Sequence, residues 1–548
     1  FNTGSVISNY GTLTIEDNIS VQDSTLSQDN TAVIDVKGNT AKLFLHGGTL
    51  QNNSVNSSYS GTVRVSGGAF MEMSGGIIEN NAVSLGNKDI ESCSSSGILL
   101  LCDNQSASLS ISGGTIRNNL AARGSAVMMF SRDSYNPDTR LSFQLSGGTI
   151  TQNTCRSASG SPIASASGAV HLEGNSEFYM TGGTISSNKG RSGAGVCVAD
   201  THSNPGKTSF TMDASTISDN KGISGGGIYS FSDYVQLNGG EIINNTAEQG
   251  GGIYSEGNYQ DYTSVHLSNV LITDNTAEQG GGIWLCPTGA SSIYSHNGAA
   301  VFDNSATGAG DDFASPQNQN DKTKTLDTRL LGGGDISWHR DGMIYQLTSS
   351  DRLNTVVNPD SPRYGEPGVD TAPVIVNQSG EAFSLKAVVS DSDKQLAKDK
   401  AQLIVSGNSA TRGGGIGANG GIIIGEEDGF NPDPNPDPNP NPNPDPDPNP
   451  NPDPNPNPDS NPNPNPDFDQ KPDSENQTKP NSDNVKEESQ KNPNKNTENN
   501  VPKNDSSENI KQPVSDKVIP NTGDSVPVAA LVLAGLSLTS VLLLTKKH

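Results

Sequence analysis

Residues 245–254 read NTAEQGGGIY, and residues 275–284 read NTAEQGGGIW. The two segments differ only at the final aromatic residue. A third copy, NSATRGGGIG, occupies residues 408–417, and weaker copies end at Tyr229, Val198, Leu172 and Met129. Each full copy places an Asn, three Gly and an Ile at fixed offsets. Such recurrence indicates a repeat architecture in which each copy belongs to one structural unit.

A second repeat precedes most of these copies. It reads LSISGGTIRNN at residues 109–119, and its centre recurs as FQLSGGTI at 143–150 and FYMTGGTI at 178–185. Looser copies surround the Gly pairs at 47–48, 75–76 and 239–240. Successive copies lie roughly 25 to 38 residues apart, within the range of solenoid repeats. Apolar and polar residues alternate within them, which is typical of strands with one buried face.

Together the two repeats predict a parallel β-solenoid in which each turn of the chain forms one coil. A single coil cannot bury its own apolar face, but stacked coils share a continuous core. Gly supplies positive φ at sharp corners, and Asn tolerates the left-handed conformation. Stacked Asn side chains can also bond to their neighbours in adjacent coils. A two-sheet sandwich with Gly-rich turns is the alternative, although it leaves the recurring triple Gly unexplained.

The motifs resemble right-handed parallel β-helix repeats, in particular the GGGI-type repeats of bacterial surface and autotransporter-like adhesins. The resemblance implies an all-β, right-handed parallel β-helix. Tyr229, Tyr254 and Trp284 occupy the same repeat position, so a solenoid would align them on one face. That alignment predicts either a ligand-binding face or aromatic filling of a core or corner, and the sequence leaves both open.

The repeats divide the chain into segments. Residues 1–316 form the main β-helix, and residues 401–425 form a final β-helix-like unit. Between them, residues 317–400 are an irregular excursion or a cap, with a short helix expected at residues 396–403. Residues 426–518 begin as a run of Asn-Pro and Asp-Pro dipeptides and continue as a polar, charged stretch. Alternate prolines exclude helices and sheets, so we expect a disordered, extended stalk.

Residues 519–548 carry a different signal. Ile519-Pro520-Asn521-Thr522-Gly523 precedes an uncharged apolar run of roughly 20 residues from Val526 to Thr545, and the chain ends in Lys546-Lys547-His548. A run of that length can cross a bilayer as one helix, with the basic end on the cytoplasmic side. The sequence therefore predicts one C-terminal transmembrane helix.

This tail resembles the LPxTG cell-wall sorting signal of Gram-positive surface proteins, with Ile519 in place of Leu. The resemblance implies cleavage by sortase between Thr522 and Gly523, and covalent linkage of Thr522 to peptidoglycan. It also implies a secreted protein at the cell surface whose precursor is inserted in the membrane. The chain begins at Phe1 without a signal peptide, so we expect a longer precursor.

Composition narrows the classes of function. The net charge is −26, which disfavours nucleic-acid binding because phosphate contacts need clustered Lys and Arg. Five Cys are too few and too irregular for a disulfide framework. Cys93 and Cys102 are close enough in sequence for a bridge, which spacing alone leaves open. No metal-ligand spacing and no cofactor motif occurs in the sequence.

Catalytic residues are hard to assign from this sequence, and we predict none. Asp311 and Asp312 resemble the paired aspartates of polygalacturonase-like glycosidases, but the accompanying motifs are missing. We expect them to belong to a turn of the last regular coil. Asp274 and Asp303 each precede a repeat Asn, and adjacent coils could align them in a polar row.

The expected function is that of a wall-anchored surface protein, an adhesin or another interaction protein. Its partners would be sortase, peptidoglycan and a host protein or glycan. The alternative is a wall-tethered carbohydrate-active enzyme, either a polysaccharide lyase or a hydrolase, which would need a groove of converging charged residues.

Overall fold

The computed structural model describes residues 4–132, 136, 138–156, 167–199, 208–232, 234–257, 264–287, 290–294, 298–316, 324–348, 351–375 and 382–425. The expected stalk, sorting signal and transmembrane helix therefore lie outside the described residues. Within the described part the chain is almost entirely β-strand, with two short helices. The all-β prediction is confirmed.

The strands of the first half are β1 Ile7–Asn9, β2 Thr12–Ile15, β3 Ser20–Gln22, β4 Thr25–Leu26, β5 Ala32–Lys37, β6 Lys42–Leu45, β7 Thr49–Gln51, β8 Ser54–Val55, β9 Gly61–Ser66, β10 Phe70–Met73, β11 Ile77–Glu79, β12 Ala82–Val83, β13 Ile98–Cys102, β14 Ala107–Ile111, β15 Thr115–Arg117, β16 Leu120–Ala121, β17 Val127–Ser131, β18 Leu141–Thr151, β19 Thr154–Cys155, β20 Val170–Glu173, β21 Ser176–Ser186 and β22 Val196–Ala199. Helix α1 spans Lys88–Cys93.

The strands of the second half are β23 Ser209–Met212, β24 Thr216–Ser218, β25 Ile228–Phe231, β26 Tyr234–Leu237, β27 Gly240–Ile243, β28 Ile253–Ser255, β29 Ser264–Leu267, β30 Val270–Thr273, β31 Thr276–Gln279, β32 Ile283–Leu285, β33 Ala290–Tyr294, β34 Ala299–Val301, β35 Ser305–Ala309, β36 Phe313–Ser315, β37 Lys324–Leu326, β38 Ser337–Arg340, β39 Ile344–Thr348, β40 Asp351–Val357, β41 Phe383–Val388, β42 Leu403–Ser406, β43 Ile416–Ala418 and β44 Gly421–Gly425. Helix α2 spans Asp391–Lys400.

Long parallel sheets run along the stack of coils. A 14-stranded sheet and a 21-stranded sheet form the two main walls, and the short strands β4, β8, β12, β16 and β19 form a third. Each coil contributes one strand to the 14-stranded wall, as β5, β9, β13 and β17 do. Strands β5, β9, β13 and β17 pair with one another in this order, parallel and in register. This β-helix-like repeat architecture agrees with the prediction from the repeats.

The Gly-Gly pairs bend each coil between its two strands in the 21-stranded sheet. Gly148 has φ 81°, which favours glycine. A Cβ on Gly147 would lie 2.3 Å from the Ser112 carbonyl oxygen of the preceding coil. Both positions therefore need Gly, the first for close approach of the backbones and the second for its backbone conformation.

The core is a narrow interior between the walls, filled by the inward side of each strand. Phe143, Phe178 and Phe210 illustrate its packing, because their rings stack from coil to coil with centroids 4.5 and 4.9 Å apart. All three side chains are fully buried. Equal positions of successive coils thus become neighbours in space, as the repeat pattern predicts.

A ladder of buried Asn side chains follows one corner of the stack. In each rung, the backbone N–H and the side-chain Nδ2 donate to Oδ1 of the Asn in the next coil, at 2.9–3.1 Å. Nδ2 also donates to a backbone carbonyl of the preceding coil, such as Ile78 below Asn119. In spatial order the rungs are Asn53, Asn81, Asn119, Asn153, Asn188, Asn220, Asn245, Asn408, Asn275 and Asn304.

The triple Gly explains why the Asn and GGG motifs occur together. A Cβ on Gly252, the third Gly of its copy, would lie 3.1 Å from Asn408 Nδ2. The same position in another copy, Gly282, would place a Cβ 2.9 Å from Asn304 Nδ2. Glycine at this position therefore leaves room for the ladder.

The last coil in sequence is not the last in space. Strands β42, β43 and β44 lie between β27 and β30, between β28 and β32, and between β29 and β33. Residues 403–425 thus form a coil inserted between two coils that are consecutive in sequence, and we call this the inserted coil. The sequence predicts this unit as a further coil but does not predict its place in the stack.

Residues 327–400 return the chain to that slot. Strand β41 pairs antiparallel with β36 and with β38, which ends the parallel order of the 14-stranded sheet. The hairpin of β39 and β40 packs against the side of the stack. Helix α2 begins after the N-cap Ser390, whose Oγ accepts from Asp393 N, and ends at Lys400. The expected helix at residues 396–403 was thus misplaced, because Leu403 already begins β42.

Candidate functional site

The aromatic residues expected to share a face are aligned, and two of the three, Tyr254 and Trp284, are buried while Tyr229 is half-buried. Tyr229 pairs in register with Tyr254, and their rings stack with centroids 6.1 Å apart. Gly417 of the inserted coil then separates Tyr254 from Trp284. Tyr254 is 1% exposed and Trp284 is fully buried. The three residues therefore do not form an open ligand face, and at Tyr254 and Trp284 the structure favours the alternative of core filling.

Trp284 is buried because the hairpin of β39 and β40 covers the outer side of the sheet there. Its cluster contains Cys286, Ala309, Ala314 and Ile344, with Leu353 and Val357 packed against it. Sequence periodicity gives the alignment of residues along a wall, but a later segment of the chain decides which part of that wall is covered.

Asp311 and Asp312 fasten the cap to the stack. Asp312 Oδ1 accepts from Asn304 N and Nδ2 at 3.0 and 2.9 Å, so it ends the Asn ladder, and its Oδ2 accepts from Ala387 N at 2.8 Å. Asp311 contacts Arg363 at 2.7 Å and Lys386 at 2.8 Å. Burial raises the pKa of Asp312 to about 6.

The two carboxylates therefore have structural partners. Arg363 also bonds Asp341 at 2.5 Å, so one guanidinium connects Asp311 of the stack with Asp341 of the cap region. Each Asp312 oxygen accepts hydrogen bonds from buried groups, and the side chain is 1% exposed. A general acid for glycoside hydrolysis has to reach the substrate.

Asp274 and Asp303 lie in adjacent coils, since Asp274 N donates to the Asp303 carbonyl oxygen at 3.2 Å. Both have φ near 57°, the left-handed conformation that Asp tolerates. Asp303 forms an ion pair of 2.7 Å with Lys394 of α2. This agrees with the expected polar row.

A buried polar cluster was missed by the sequence analysis. His171 Nε2 lies 3.1 Å from Glu173 Oε2, which Arg123 contacts at 2.9 Å, and Cys197 pairs in register with His171. The order thiol, imidazole, carboxylate is that of a nucleophile, its base and an orienting group. However, burial raises the pKa of Cys197 to about 12 and lowers the pKa of His171. The resting pair is a neutral thiol beside a neutral imidazole.

All five cysteines are buried free thiols, including Cys93 and Cys102. Among the described residues, no group of His, Cys, Asp or Glu has an arrangement that could hold a metal ion. Within the same ranges, neither helix is long and apolar enough to span a bilayer.

The outer side of the 21-stranded sheet carries partly exposed side chains in the described part of the chain. Equal positions of successive coils form a row of half-buried side chains there, which we call the threonine row: Thr49, Ile77, Thr115, Thr149, Thr184 and Thr216. Neighbours in the row are about 4.8 Å apart, the spacing of paired strands. The row presents threonine hydroxyls on neighbouring coils, interrupted once by Ile77.

A hollow lies at the N-terminal end of the threonine row. It is formed by residues of 17–22, 48–51 and 76–77, and we call it the bend hollow. The first coil has Asp17 and Asn18 where later coils have Gly-Gly, and a Cβ on Gly47 would lie 2.1 Å from Asp17 Oδ1. The Asp17 side chain therefore lies against Gly47 of the next coil, at one side of the hollow.

Amide and hydroxyl groups line the bend hollow. Gln22 Oε1 accepts from Gln51 Nε2 at 2.6 Å and from Ser20 Oγ at 2.9 Å. The Gln22 Nε2 donor and the Gln51 Oε1 acceptor have no protein partner in the described part of the chain. Beside the hollow, His46 Nδ1 contacts Glu16 Oε1 at 3.0 Å.

Two half-buried aromatic rings continue from the hollow along the outer side of the sheet. The Phe44 ring lies 5.9 Å from His46 and 6.4 Å from Phe70, measured between centroids. Both Phe rings point outward, because the alternate residues Leu45 and Met71 are buried in the core. The repeat motifs do not include these two rings. The alternation of each Phe with a buried neighbour in its strand would have predicted that both rings lie on the outer side of the sheet.

No protein-family model, curated protein or solved structure that was compared with this chain matches it.

Proposed function

We propose that this protein is a cell-wall-anchored surface protein that uses its β-helix as an interaction module. The observation that carries the proposal is the tail, where Ile519-Pro520-Asn521-Thr522-Gly523 is followed by an apolar run and a basic end. Pro520 fixes its own φ and favours an extended conformation, which suits capture by a protease-like active site. Sortase would join Thr522 to peptidoglycan at the surface of a Gram-positive bacterium.

In this proposal the other segments present the β-helix at the cell surface. The coils form a right-handed β-helix, the Pro-rich residues 426–518 form a disordered stalk that crosses the wall, and the apolar run holds the precursor in the membrane as a helix. A long solenoid suits an adhesin because it offers an extended surface without a deep pocket. The open threonine row supports this use.

Replacing Thr522 with Ala tests the anchoring. We expect the variant to move from the wall fraction to the membrane fraction or the medium of a sortase-positive host, while the unaltered chain stays with the wall. Ser525→Ala, two residues beyond the motif, is the matched control and should stay in the wall fraction. Undiminished wall attachment of the Thr522→Ala chain refutes the proposal.

The second candidate is a wall-tethered carbohydrate-active enzyme. The paired carboxylates that suggested it, Asp311 and Asp312, are engaged with the ladder, Lys386 and Arg363. Cys197 and His171 are buried, and Glu173, which is half-buried, is engaged by His171 and Arg123. We therefore favour the interaction protein.

A further inference from the structure

We infer that the bend hollow, together with Phe44 and Phe70, is a binding site for an uncharged oligosaccharide. The inference rests on the proposed function of an interaction module and names its ligand class and location. It uses the two features that distinguish this end of the sheet from the rest of its outer side, which are a concave polar surface and an adjacent pair of aromatic rings.

The polar groups fit hydroxyl ligands. A sugar hydroxyl can donate and accept at once, so it pairs with an amide that offers both. Gln22 Nε2 is an available donor and Gln51 Oε1 an available acceptor, and a hydrogen bond of 2.6 Å joins the two side chains at the surface. The hydroxyls of Ser20 and Thr49 line the same hollow.

The aromatic rings fit the other side of a sugar. A pyranose ring presents a face of C–H groups, and an aromatic face with its negative quadrupole attracts such a face. Phe44 and Phe70 are half-buried, so their inner edges are held by the sheet while their outer sides remain accessible. Phe44 lies in β6, and the bend at Gly47 and Gly48 separates it from the rest of the hollow. A ligand that contacts both the rings and the hollow has to extend across this bend, which suits an oligosaccharide rather than a single sugar.

The charges select for a ligand without acidic groups. Asp17 lines the hollow, Glu16 lies beside it, and Glu72 pairs in register with Phe44. The whole chain carries a net charge of −26. Uronic or sialic acids would be repelled by this surface, since like charges at short range disfavour a complex.

Binding of the purified full chain to chitotetraose, maltotetraose and mannotetraose, measured by titration calorimetry, tests the inference, with tetragalacturonate as the acidic counterpart. We expect at least one neutral tetrasaccharide to bind and the acidic one not to. Phe44→Ala and Gln51→Ala should each weaken binding by about tenfold or more, as loss of a central contact does. Tyr234→Ala is the control, because Tyr234 is an exposed aromatic residue elsewhere on the sheet.

Unchanged affinity of both Phe44→Ala and Gln51→Ala, with circular dichroism showing that the two variants are folded, overturns the inference. Binding only to tetragalacturonate or only to protein ligands, or to none of these ligands, also overturns it. The proposed anchoring is judged separately by the wall fraction of Thr522→Ala, so the sugar site can fail while wall display stands, or the reverse.

Discussion

Truncation of one ladder residue should show how strongly the inserted coil is held. Asn408 receives two hydrogen bonds at Oδ1 from Asn245, and its Nδ2 donates to Asn275 Oδ1 and to the Ile242 carbonyl oxygen, all within 2.8–3.0 Å. Asn408→Ala leaves Asn245 N and the Ile242 oxygen without these partners, and Asn245 Nδ2 keeps only its bond to the Ile217 carbonyl oxygen. Asn275 Oδ1 keeps the bond from the backbone of residue 408.

The expected loss of folding free energy follows from the number of buried polar groups that lose a hydrogen-bond partner. Each buried polar group without a partner costs about 1–3 kcal/mol. Three affected groups give roughly 3–5 kcal/mol, in the lower part of that range, because Asn245 Nδ2 keeps its bond to the Ile217 carbonyl oxygen. The Asn408 site is fully buried, so solvent relieves little of the cost before local opening.

Asn53→Ala is the matched control at the first rung. Asn53 Oδ1 accepts only from Ser24 N, and Nδ2 donates to Asn81 Oδ1 and to the Val21 carbonyl oxygen. Ser24 and Val21 are both half-buried, so the same truncation there should cost about 1–2 kcal/mol.

Urea unfolding of the full chain, followed by tryptophan fluorescence and circular dichroism, separates the two variants. The chain has two Trp residues, and Trp284 lies in β32, directly beside the inserted coil. We expect Asn408→Ala to shift the fluorescence transition to lower urea than the dichroism transition, because stability in a solenoid is partly local. Equal costs for the two variants, or a larger cost for Asn53→Ala, would refute the reasoning.

Three further predictions concern single positions. Gly417→Ala should destabilise the fold by about 1–3 kcal/mol, since its Cβ would lie 2.9 Å from Gly250 N and 3.1 Å from Tyr254 Cδ2, whereas Gly11→Ala, with open space around it, should be near neutral in the same urea assay. Asp312 has a folded-state pKa of about 6, above its ordinary 3.8, so its ionisation disfavours the folded state. The stability of the native chain relative to Asp312→Asn should therefore fall by up to about 3 kcal/mol as pH rises from 4 to 7. A difference in stability that does not change with pH contradicts this. Burial raises the pKa of Cys155 to about 11 and that of Cys197 to about 12, so a thiol reagent at pH 8 should label neither in the native chain and both in urea, as mass spectrometry of the peptides would show.

Sequence periodicity predicted the type of each coil but not the order of the coils. Asn245, Asn275 and Asn408 belong to copies of one motif, and the motif states which residues will be neighbours across a rung without stating which copy lies next to which. The exposure of the aromatic residues was open for a related reason. Trp284 is covered by Ile344 and Val357, which lie far along the chain and outside any repeat. The bend hollow, in turn, depends on a departure from the motif at Asp17.

One signal for the inserted coil was present in the sequence. Glu248 and Glu278 occupy the same position of two nearly identical repeats, so consecutive stacking would place two carboxylates at the strand spacing of about 4.8 Å. The inserted coil instead puts Thr411 between them, and Arg412 lies between Gln249 and Gln279. A copy that replaces Glu-Gln by Thr-Arg therefore suits the slot between two Glu-Gln copies. Thr411→Glu would align three like charges in that row, and it should weaken the inserted coil more than Ser409→Glu, which adds a charge beside Thr246 and Thr276. Equal losses of stability in the same urea assay would show that charge does not decide the order of the coils.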